Sequence, residues 1–361
     1  MNCQQNPAIT FIIPAYNAER TLERTLDSIL RQTDNRYQAV VVDDGSVDGT
    51  SRIGQSYANR CPQKIRYLYQ ENRGLGGARN TGLGLVETTY VSFLDSDDWL
   101  MPDYVERILG RIEEAGERGE QPEIIMTLPV IWNEKSRVAQ DWYDRELFLQ
   151  IFPRDGCVVN PQKELRLYQF EVNVCRKVLQ TAFIRRIGFA FREKVKWEDV
   201  YPHFYLLSRC RRCMGVAVGF YYRIGSDAQI TACTGADRMD VFPVFEDVAA
   251  LIGQGRDELI FPAMRMMLRF SFWCIRMADM ETREPLVRGL RLFFGNLPDR
   301  YFRILRRESR RQYASKDAAQ YALLALSLRR RAGNLVFSDY LWQEICETLI
   351  KKALRAGERT A

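Results

Sequence analysis

The chain of 361 residues contains a single histidine, His203, and its nine cysteines follow no repeated spacing. One C-x-x-C pair, Cys210 and Cys213, stands without a second pair or a histidine cluster, so we expect no zinc site. The scattered thiols also lack the dense spacing of a small secreted disulfide scaffold. The sequence therefore predicts free, mostly buried cysteines in a reducing cytoplasm.

Long apolar runs are absent as well. A membrane-spanning helix needs about 18 consecutive apolar residues, and the nearest approach, residues 259–275, is interrupted by Arg265 and Arg269. The sequence starts with MNCQQNPAITFIIPAYN and has no basic segment of the kind that opens a secretory leader. We therefore expect a cytoplasmic protein.

Strong charge of one sign is also missing. The 52 Lys and Arg residues exceed the 46 Asp and Glu residues by only six. No recognised nucleic-acid-binding module accompanies this mild surplus, and no internal repeat or low-complexity tract is present. We expect no nucleic-acid partner.

Residues 9–100 do show a regular alternation of short apolar runs and helical spacing. Strands are predicted over residues 9–13, 39–42, 65–69 and 90–94, and helices over residues 18–31, 50–60 and 76–86. Asn17 is the expected N-cap of the first helix. Strands separated by helices of this length predict an α/β fold with a mainly parallel, Rossmann-like sheet flanked by helices.

The remainder of the chain is less regular. A helix is predicted over residues 104–119 and a strand over residues 124–132, whereas residues 141–172 give no assignable pattern. From about residue 237 the apolar residues recur at helical spacing, which predicts a mainly helical C-terminal region. We place a domain boundary near residue 235.

The stretch FLDSDDW, residues 93–99, carries three carboxylates, Asp95, Asp97 and Asp98, to the end of an apolar strand. Carboxylates this close repel one another unless a cation or a proton lies between them. Hard oxygen ligands suit Mg²⁺ or Mn²⁺. The motif predicts either a site for a metal ion and a diphosphate or an acidic turn that caps the helix starting near Pro102.

Three further stretches occur in order with FLDSDDW. They are FIIPAYNAERTLERTLDSILRQT (11–33), VVVDDGSVDGT (40–50) and NRGLGGARNTGL (72–83). Together the four motifs resemble the inverting glycosyltransferases of family 2, which have a GT-A (nucleotide-diphospho-sugar transferase) fold. The resemblance is close over residues 9–105 and looser over 173–230. It implies a catalytic domain over residues 1–235, with a nucleotide-sugar half at about 1–105 and an acceptor half at about 106–235, and a helical region over 236–361.

The resemblance implies that the segment with Pro14 and Tyr16 lies along the nucleoside of a UDP-sugar, with Tyr16 stacked on uracil. Of the pair Asp43 and Asp44, Asp44 is expected to accept the pyrimidine N3–H, and Arg79 is expected beside the base. The alternatives are a turn aromatic at Tyr16, capping of the local turn by Asp43, and a surface ion pair at Arg79.

The same resemblance implies that Asp95 contacts the ribose and takes part in a metal site with Asp97. There, Mn²⁺ or Mg²⁺ would bridge the two phosphates and stabilise the UDP leaving group as a Lewis acid. Asp98 either assists or caps the next helix.

The stretch KWEDVYPHF, residues 196–204, resembles the segment that carries the catalytic base in members of this family. Asp199 is the expected base for the acceptor hydroxyl, and Glu198 is expected to orient it or to contact the acceptor. Capping of the next helix is compatible with both roles. His203 is either an alternative base or a structural residue of that helix.

Downstream, GFYYRIGS (219–226) resembles a family segment in which an Arg and a flexible loop close over the diphosphate, a role implied for Arg223. The family's usual Asn-Lys is replaced by NVCRK (173–177), which receives no role. The Q-x-x-R-W motif of processive synthases is absent, which indicates transfer of single sugars to a saccharide or lipid-linked acceptor in surface polysaccharide or glycolipid synthesis.

Six arginines lie between Arg300 and Arg311, and Arg303, Arg307 and Arg310 fall on one helical face. Such a helix is suited to anionic lipid at the inner membrane face, or it is a solvated face paired with local carboxylates. Self-association is left open. Two rival functions are a nucleotidyltransferase and a protein that binds nucleotide sugars without turnover.

Overall fold

The computed structural model describes residues 6–225 and 234–312, of which residues 309–312 are described without their side chains. Ser226 of the predicted Gly-Ser loop and the predicted helical continuation over residues 313–361 lie outside the described residues. Within the described ranges, twelve strands form two sheets. In chain order the strands are β1 (Ile9–Ala15), β2 (Tyr37–Asp43), β3 (Ile65–Tyr69), β4 (Tyr90–Phe93), β5 (Trp99–Leu100), β6 (Ile124–Thr127), β7 (Val130–Asn133), β8 (Val138–Asp141), β9 (Cys157–Val159), β10 (Lys177–Gln180), β11 (Cys213–Val216) and β12 (Phe220–Ile224).

Helices surround these strands and make up the later part of the described chain. In chain order they are α1 (Leu22–Leu30), α2 (Thr50–Arg60), α3 (Gly74–Leu83), α4 (Tyr104–Glu117), α5 (Arg145–Ile151), α6 (Thr181–Arg186), α7 (Val200–Arg209), α8 (Val241–Gly253), α9 (Asp257–Met277), α10 (Met280–Asn296) and α11 (Asp299–Gln312).

The main sheet has the strand order β3-β2-β1-β4-β10-β6-β11-β9. The first four strands are mutually parallel, and β6 and β11 are parallel to each other. Strand β10 runs antiparallel to both of its neighbours, and β9 runs antiparallel to β11. Six strands therefore share one direction, which confirms the predicted mainly parallel α/β sheet.

Helix α1 starts four residues later than expected, at Leu22, with Thr21 as its N-cap. Asn17 is therefore not the N-cap. It adopts a positive φ of 49°, and its Oδ1 accepts the amide of Val47 at 3.0 Å, so it ties the β1–α1 turn to the β2–α2 turn. The buried face of α1 includes Leu22 and Leu26, each worth about 1.5–3 kcal/mol when removed from water.

The predicted strand over residues 124–132 is two strands, because the chain leaves the main sheet at Pro129. Strand β6 continues as β7 in a second sheet of order β5-β12-β7-β8. Its parallel partner β11 makes the same transition to β12 beside it, at Gly219. A Cβ on Gly219 would lie 2.5 Å from the carbonyl oxygen of Leu128, so only glycine fits this crossing.

A single large hydrophobic core extends from β1 to α11. The described residues after 234 are helical, and their buried side chains belong to the same core as those of the main sheet. Because no separate core distinguishes these described residues, the boundary near residue 235 stays a prediction. The broken apolar run at 259–275 lies within α9, where Leu259 and Met267 are buried.

None of the described helices is both long enough and apolar enough to cross a bilayer. The described cysteines are free thiols, and Cys175, Cys210, Cys213 and Cys274 are buried, as expected from their scattered spacing.

Candidate active site

The carboxyl ends of β1, β2 and β4 lie side by side, because β1 pairs in parallel with both of its neighbours. Pro14 is buried at the end of β1, and Tyr16 comes just after that strand with a side chain that is 54% exposed. Asp44 comes directly after β2, and Asp95 lies shortly after β4. The structure thus brings the predicted donor-side motifs to the sheet edge at which open α/β sheets bind ligands.

The two aspartates at the end of β2 have different surroundings. Asp43 is fully buried, its Oδ1 accepts the amide of Ser46 at 2.9 Å, and its Oδ2 accepts the hydroxyl of Tyr67 at 2.7 Å. Asp44 Oδ1 instead accepts the side-chain amide of Gln70 at 2.6 Å and a backbone amide at 2.8 Å. Asp43 therefore stabilises the turn, as its predicted capping role requires, and its contact with a nucleotide stays a prediction.

Arg79 projects from α3 into the centre of the molecule and is only 1% exposed. Helix α3 can approach β1 this closely because residue 82 is glycine, where a Cβ would lie 2.4 Å from Ile12. The Arg79 guanidinium donates from Nη1 to Glu198 Oε1 at 2.7 Å and to Asp199 Oδ1 at 2.8 Å, and from Nη2 to Asp95 Oδ1 at 2.9 Å.

These four side chains, Arg79, Asp95, Glu198 and Asp199, form what we call the arginine cluster. Burial alone would lower the pKa of Arg79, but the charges of the three carboxylates raise it well above its usual value. The surface ion pair considered for Arg79 is therefore wrong, since the guanidinium is internal. Its predicted place beside the nucleobase stays a prediction.

Within the cluster, Glu198 has a strongly perturbed environment. Burial raises its pKa to about 7, opposed by the charge of Arg79 and supported by that of Asp199. Asp199 is more accessible, with a side chain that is 18% exposed. Its Oδ2 accepts the backbone amide of Val174 at 3.0 Å, so both of its oxygens are held in place.

The turn that presents the Val174 amide is held by Lys177, which is fully buried. The Lys177 ammonium donates to the carbonyl oxygens of Val172 at 3.0 Å and Asn173 at 2.8 Å. Burial, together with neighbouring Arg176, lowers the pKa of Lys177 to about 7. The stretch NVCRK, for which the motifs implied no role, thus supports Asp199.

A second group of charged side chains lies where β12 of the second sheet approaches the residues after β4. Arg223 on β12 donates from Nη2 to Asp97 Oδ2 at 3.1 Å and from its backbone amide to Asp98 Oδ1 at 2.9 Å. Asp98 therefore does not cap α4, whose N-cap is Asp103. Burial and the charge of Asp95 raise the pKa of Asp97, while Arg223 opposes the shift.

The residues present can be compared with the needs of a divalent cation. Across residues 6–225 and 234–312, no three His, Cys, Asp or Glu side chains are grouped closely enough to hold an ion by themselves. Asp95 and Asp97 offer hard oxygen ligands, and their mutual repulsion would be relieved by a positive charge. This pair fits an Mg²⁺- or Mn²⁺-type ion that takes its remaining ligands from phosphate and water.

His203 lies apart from these carboxylates. It is fully buried in α7, and its ring lies edge-on to Tyr168 at 6.5 Å between centroids. Burial, with the charges of Lys177 and Arg176, lowers its pKa well below the usual value. A neutral imidazole without solvent access is a structural residue, which favours that alternative over an alternative base.

Several residues of the site were missed from the sequence. Val174 binds Asp199 through its backbone amide, Lys177 holds the turn that carries this amide, and Trp197 directly precedes Glu198. No local motif records these relationships. One signal was readable: Lys177 directly precedes the apolar pair Val178 and Leu179 in the strand KVLQ, and a charged residue is buried in such a strand only where the backbone provides acceptors.

Solved structures with the same fold are known. TarS 1-349 from S. aureus matches with a TM-score of 0.64 at 20% identity, over 89% of this chain and 91% of that chain. The same protein in complex with UDP-GlcNAc matches with a TM-score of 0.61 at 17% identity, over the same shares. The described architecture is that of a GT-A-fold protein, as the motifs predicted.

Curated relatives match less than a third of the chain. Glycosyltransferase GlyA of Streptococcus pneumoniae is 46% identical over 106 residues, which are 29% of this chain and 15% of the relative. Chondroitin synthase of Escherichia coli is 42% identical over 103 residues, 28% of this chain and 15% of the relative. The matched residues are thus a small part of each of these relatives.

Residues 10–173 match the family model of glycosyl transferase family 2. These residues form a domain of this family, which confirms the resemblance seen in the four motifs.

Proposed function

We propose that the protein is an inverting, metal-dependent and non-processive transferase that moves a sugar from a UDP-sugar to a saccharide or lipid-linked acceptor. The observation that carries the proposal is the arginine cluster. It joins a carboxylate at the end of β4, where a nucleotide sugar would lie, to the Glu198–Asp199 pair at the start of α7. The short separation suits a reaction in which donor and base act on one carbon atom.

On the donor side, the exposed ring of Tyr16 is accessible to a planar base that stacks on it. Asp44, fixed by Gln70 and the amide of Arg73, would accept the N3–H of uracil. Asp95 would accept a ribose hydroxyl while remaining paired with Arg79. A UDP-sugar, as in the TarS complex with UDP-GlcNAc, is therefore the proposed donor.

The diphosphate would lie between Asp97 and Arg223, which are already in contact. Asp95 and Asp97 would hold Mn²⁺ or Mg²⁺, whose charge would lower the free energy of the departing diphosphate. Arg223 can move from Asp97 to a phosphate oxygen, because its guanidinium forks onto anions readily.

On the acceptor side, Asp199 would accept the proton of the attacking hydroxyl. The acceptor oxygen forms a bond to the anomeric carbon, the bond from that carbon to the phosphate oxygen breaks, and UDP leaves with the electron pair. Attack from the opposite face converts an α-linked donor into a β-linked product. Glu198 and Arg79 would hold Asp199 in the orientation that this attack requires.

The proposed setting is synthesis of surface polysaccharide or glycolipid at the inner face of the membrane. In α11, Arg303 and Arg306 are exposed while Tyr301 and Leu305 are buried, so the helix presents cations outward. The side chains of Arg310 and Arg311, which were part of the predicted basic face, lie outside the described residues. Sedimentation with anionic vesicles, but not with neutral vesicles, would support peripheral membrane contact.

The donor assignment is tested by measuring release of UDP from a panel of UDP-sugars, beginning with UDP-GlcNAc, with Mn²⁺ or with a chelator. Slow, metal-dependent UDP release supports the transferase. Pyrophosphate release from a sugar phosphate and a nucleoside triphosphate would instead indicate a nucleotidyltransferase. Binding of every donor without release would indicate a protein without turnover.

The base is tested by Asp199→Asn. Asn can still accept one hydrogen bond but cannot take a proton, so we expect transfer to fall by about 10²–10⁴-fold. Donor affinity, measured by titration calorimetry, should remain within a factor of about three. Glu198→Gln is the matched comparison and should lose less activity. Full transfer by the Asp199 variant would show that another group is the base.

A further inference from the structure

The segment immediately before Glu198 has an unusual backbone. Lys194 and Trp197 both adopt positive φ angles, 54° and 64° respectively. A left-handed conformation is uncommon for residues other than glycine and is a clear outlier for a bulky side chain such as tryptophan. Such a conformation persists only where the surrounding structure holds it, so the contacts of Trp197 explain it.

Those contacts come from the helical region. The Trp197 ring meets Phe270 edge-on at 5.3 Å and Trp273 edge-on at 5.0 Å, and both partners belong to α9. The guanidinium carbon of Arg238 lies 5.2 Å from the Trp197 ring and 4.2 Å from the Trp273 ring. We call Arg238, Phe270 and Trp273 the aromatic clamp.

A second contact fixes the backbone of the same segment. The amide of Lys196 donates to Asp240 Oδ2 at 2.8 Å, and Asp240 directly precedes α8. Two different helices therefore hold the peptide units just before Glu198, one through a ring and the other through a carboxylate.

The next two residues in the chain after Trp197 are carboxylates that bind Arg79. A change in the φ angle of Trp197 would move Glu198 and Asp199 together, because no residue separates Trp197 from Glu198. Arg79 holds these carboxylates from the sheet side, and the clamp holds their backbone from the helical side. A displacement of the catalytic base by about 1 Å can reduce the reaction rate about 100-fold.

We propose that the helical region is a positioning element of the active site: the aromatic clamp holds Trp197 in its left-handed conformation and thereby places Asp199 against Arg79. Its catalytic consequence rests on the proposed function. The donor side of the site is tied to this segment only indirectly. Asp44 accepts its hydrogen bonds from Gln70 and the Arg73 amide, and none of the clamp residues is among these partners. The segment reaches Arg73 through the Lys194 amide, which donates to the Arg73 carbonyl oxygen at 3.2 Å. Loss of the clamp therefore acts on turnover more strongly than on UDP binding.

The test removes the clamp from the helical side with Phe270→Ala and Trp273→Ala. The matched control is Phe294→Ala, which deletes a buried ring of the same helical region whose ring partners are Phe245 and Phe293. For each variant we would measure kcat, the Kd for UDP, the melting temperature, and deuterium uptake of a peptide covering residues 193–200.

We expect the two clamp variants to lose about 10- to 100-fold in kcat with a much smaller change in the Kd for UDP, and to take up deuterium faster over 193–200. The control should lose thermal stability to a similar degree but keep kcat and uptake. Trp197→Phe, which retains a ring for the clamp, should recover most of the activity that Trp197→Ala loses. Phe270→Leu replaces Phe270→Ala if the latter does not fold.

The inference is overturned if the clamp variants lose stability like the control while kcat and uptake over 193–200 stay at the wild-type level. It is equally overturned if Phe294→Ala reduces kcat as much as they do. Absence of transfer by the wild-type protein would contradict the proposed function alone, because deuterium uptake still shows whether the clamp orders the segment.

Discussion

Arg79 Nη1 lies 2.8 Å from Asp199 Oδ1, although the two residues are 120 positions apart in the chain. The contact joins α3 to the start of α7, and the same guanidinium also binds Glu198 and Asp95. A cation buried among three carboxylates is both a structural and an electrostatic requirement of the site. Removing it would leave several acidic groups without a counter-charge.

Replacement of Arg79 by Met should therefore destabilise the protein by about 3–5 kcal/mol, because carboxylates are left buried and unpaired. Urea denaturation monitored by circular dichroism measures the change. Arg192→Met is the control: its ion pair with Asp247 at 2.9 Å is partly exposed to solvent, so its loss should amount to less than about 1 kcal/mol.

The double variant Arg79→Met/Glu198→Gln separates charge from packing. If uncompensated charge is the main cost, the second substitution should recover part of the lost stability, and the two effects should be non-additive. Strict additivity would contradict the electrostatic explanation.

Most of the sheet, and the order of the motifs, could be predicted from the sequence because both are local. Apolar runs such as the one in β1 alternate with helical spacing, and Asp95 and Asp97 lie shortly after their strand. The transition of β6 into the second sheet was missed, although Pro129 marks it. The chain can leave the main sheet at Pro129 only because β11 makes the same transition at Gly219. These two positions are distant in sequence, so local patterns do not reveal that they lie side by side.

Arg79 shows where motif reasoning fails for the site. Its position in GGARN indicated a functional arginine, but the sequence does not indicate that Glu198 and Asp199 fold back onto it. Trp197 offers even less signal, because a positive φ cannot be read from a residue type that rarely adopts one. Such features arise from long-range packing, and only the folded chain displays them.

Asp97→Asn should make the ligand-free protein more stable. Burial and the charge of Asp95 raise the pKa of Asp97, so the ionised side chain is unfavourable there, and a neutral amide removes the repulsion. The melting temperature without metal should rise by a few degrees, whereas Mn²⁺-dependent stabilisation by UDP should be lost. Asp103→Asn, an exposed carboxylate at the start of α4, serves as control and should change neither quantity.

Because of Lys177, we expect the free energy of unfolding to depend on pH above neutrality. Its folded pKa is about 7 and its ordinary value is 10.5, so the unfolded chain binds more protons between these values. The free energy of unfolding attributable to Lys177 therefore rises with pH in this window, by up to about 1.4 kcal/mol per pH unit.

The measurement compares the wild type with Lys177→Met in urea at pH 7, 8 and 9. The stability difference should shift in favour of the wild type as pH rises, since the buried amine becomes neutral and the methionine does not titrate. A difference that is constant over this range would mean that Lys177 stays charged when buried.

Tyr16→Ala tests the donor side of the site through an exposed side chain, so the fold should be unaffected. Stacking of a base on an aromatic ring contributes about 1–3 kcal/mol, which predicts a rise of roughly 5- to 150-fold in the Kd for UDP. The matched control is Tyr143→Ala, because Tyr143 is 64% exposed and lies after β8 rather than β1. Titration calorimetry of both variants with UDP measures the effect, and equal affinities would place the uracil away from Tyr16. A loss confined to the Tyr16 variant, with unchanged melting temperatures in both, would place it against the end of β1.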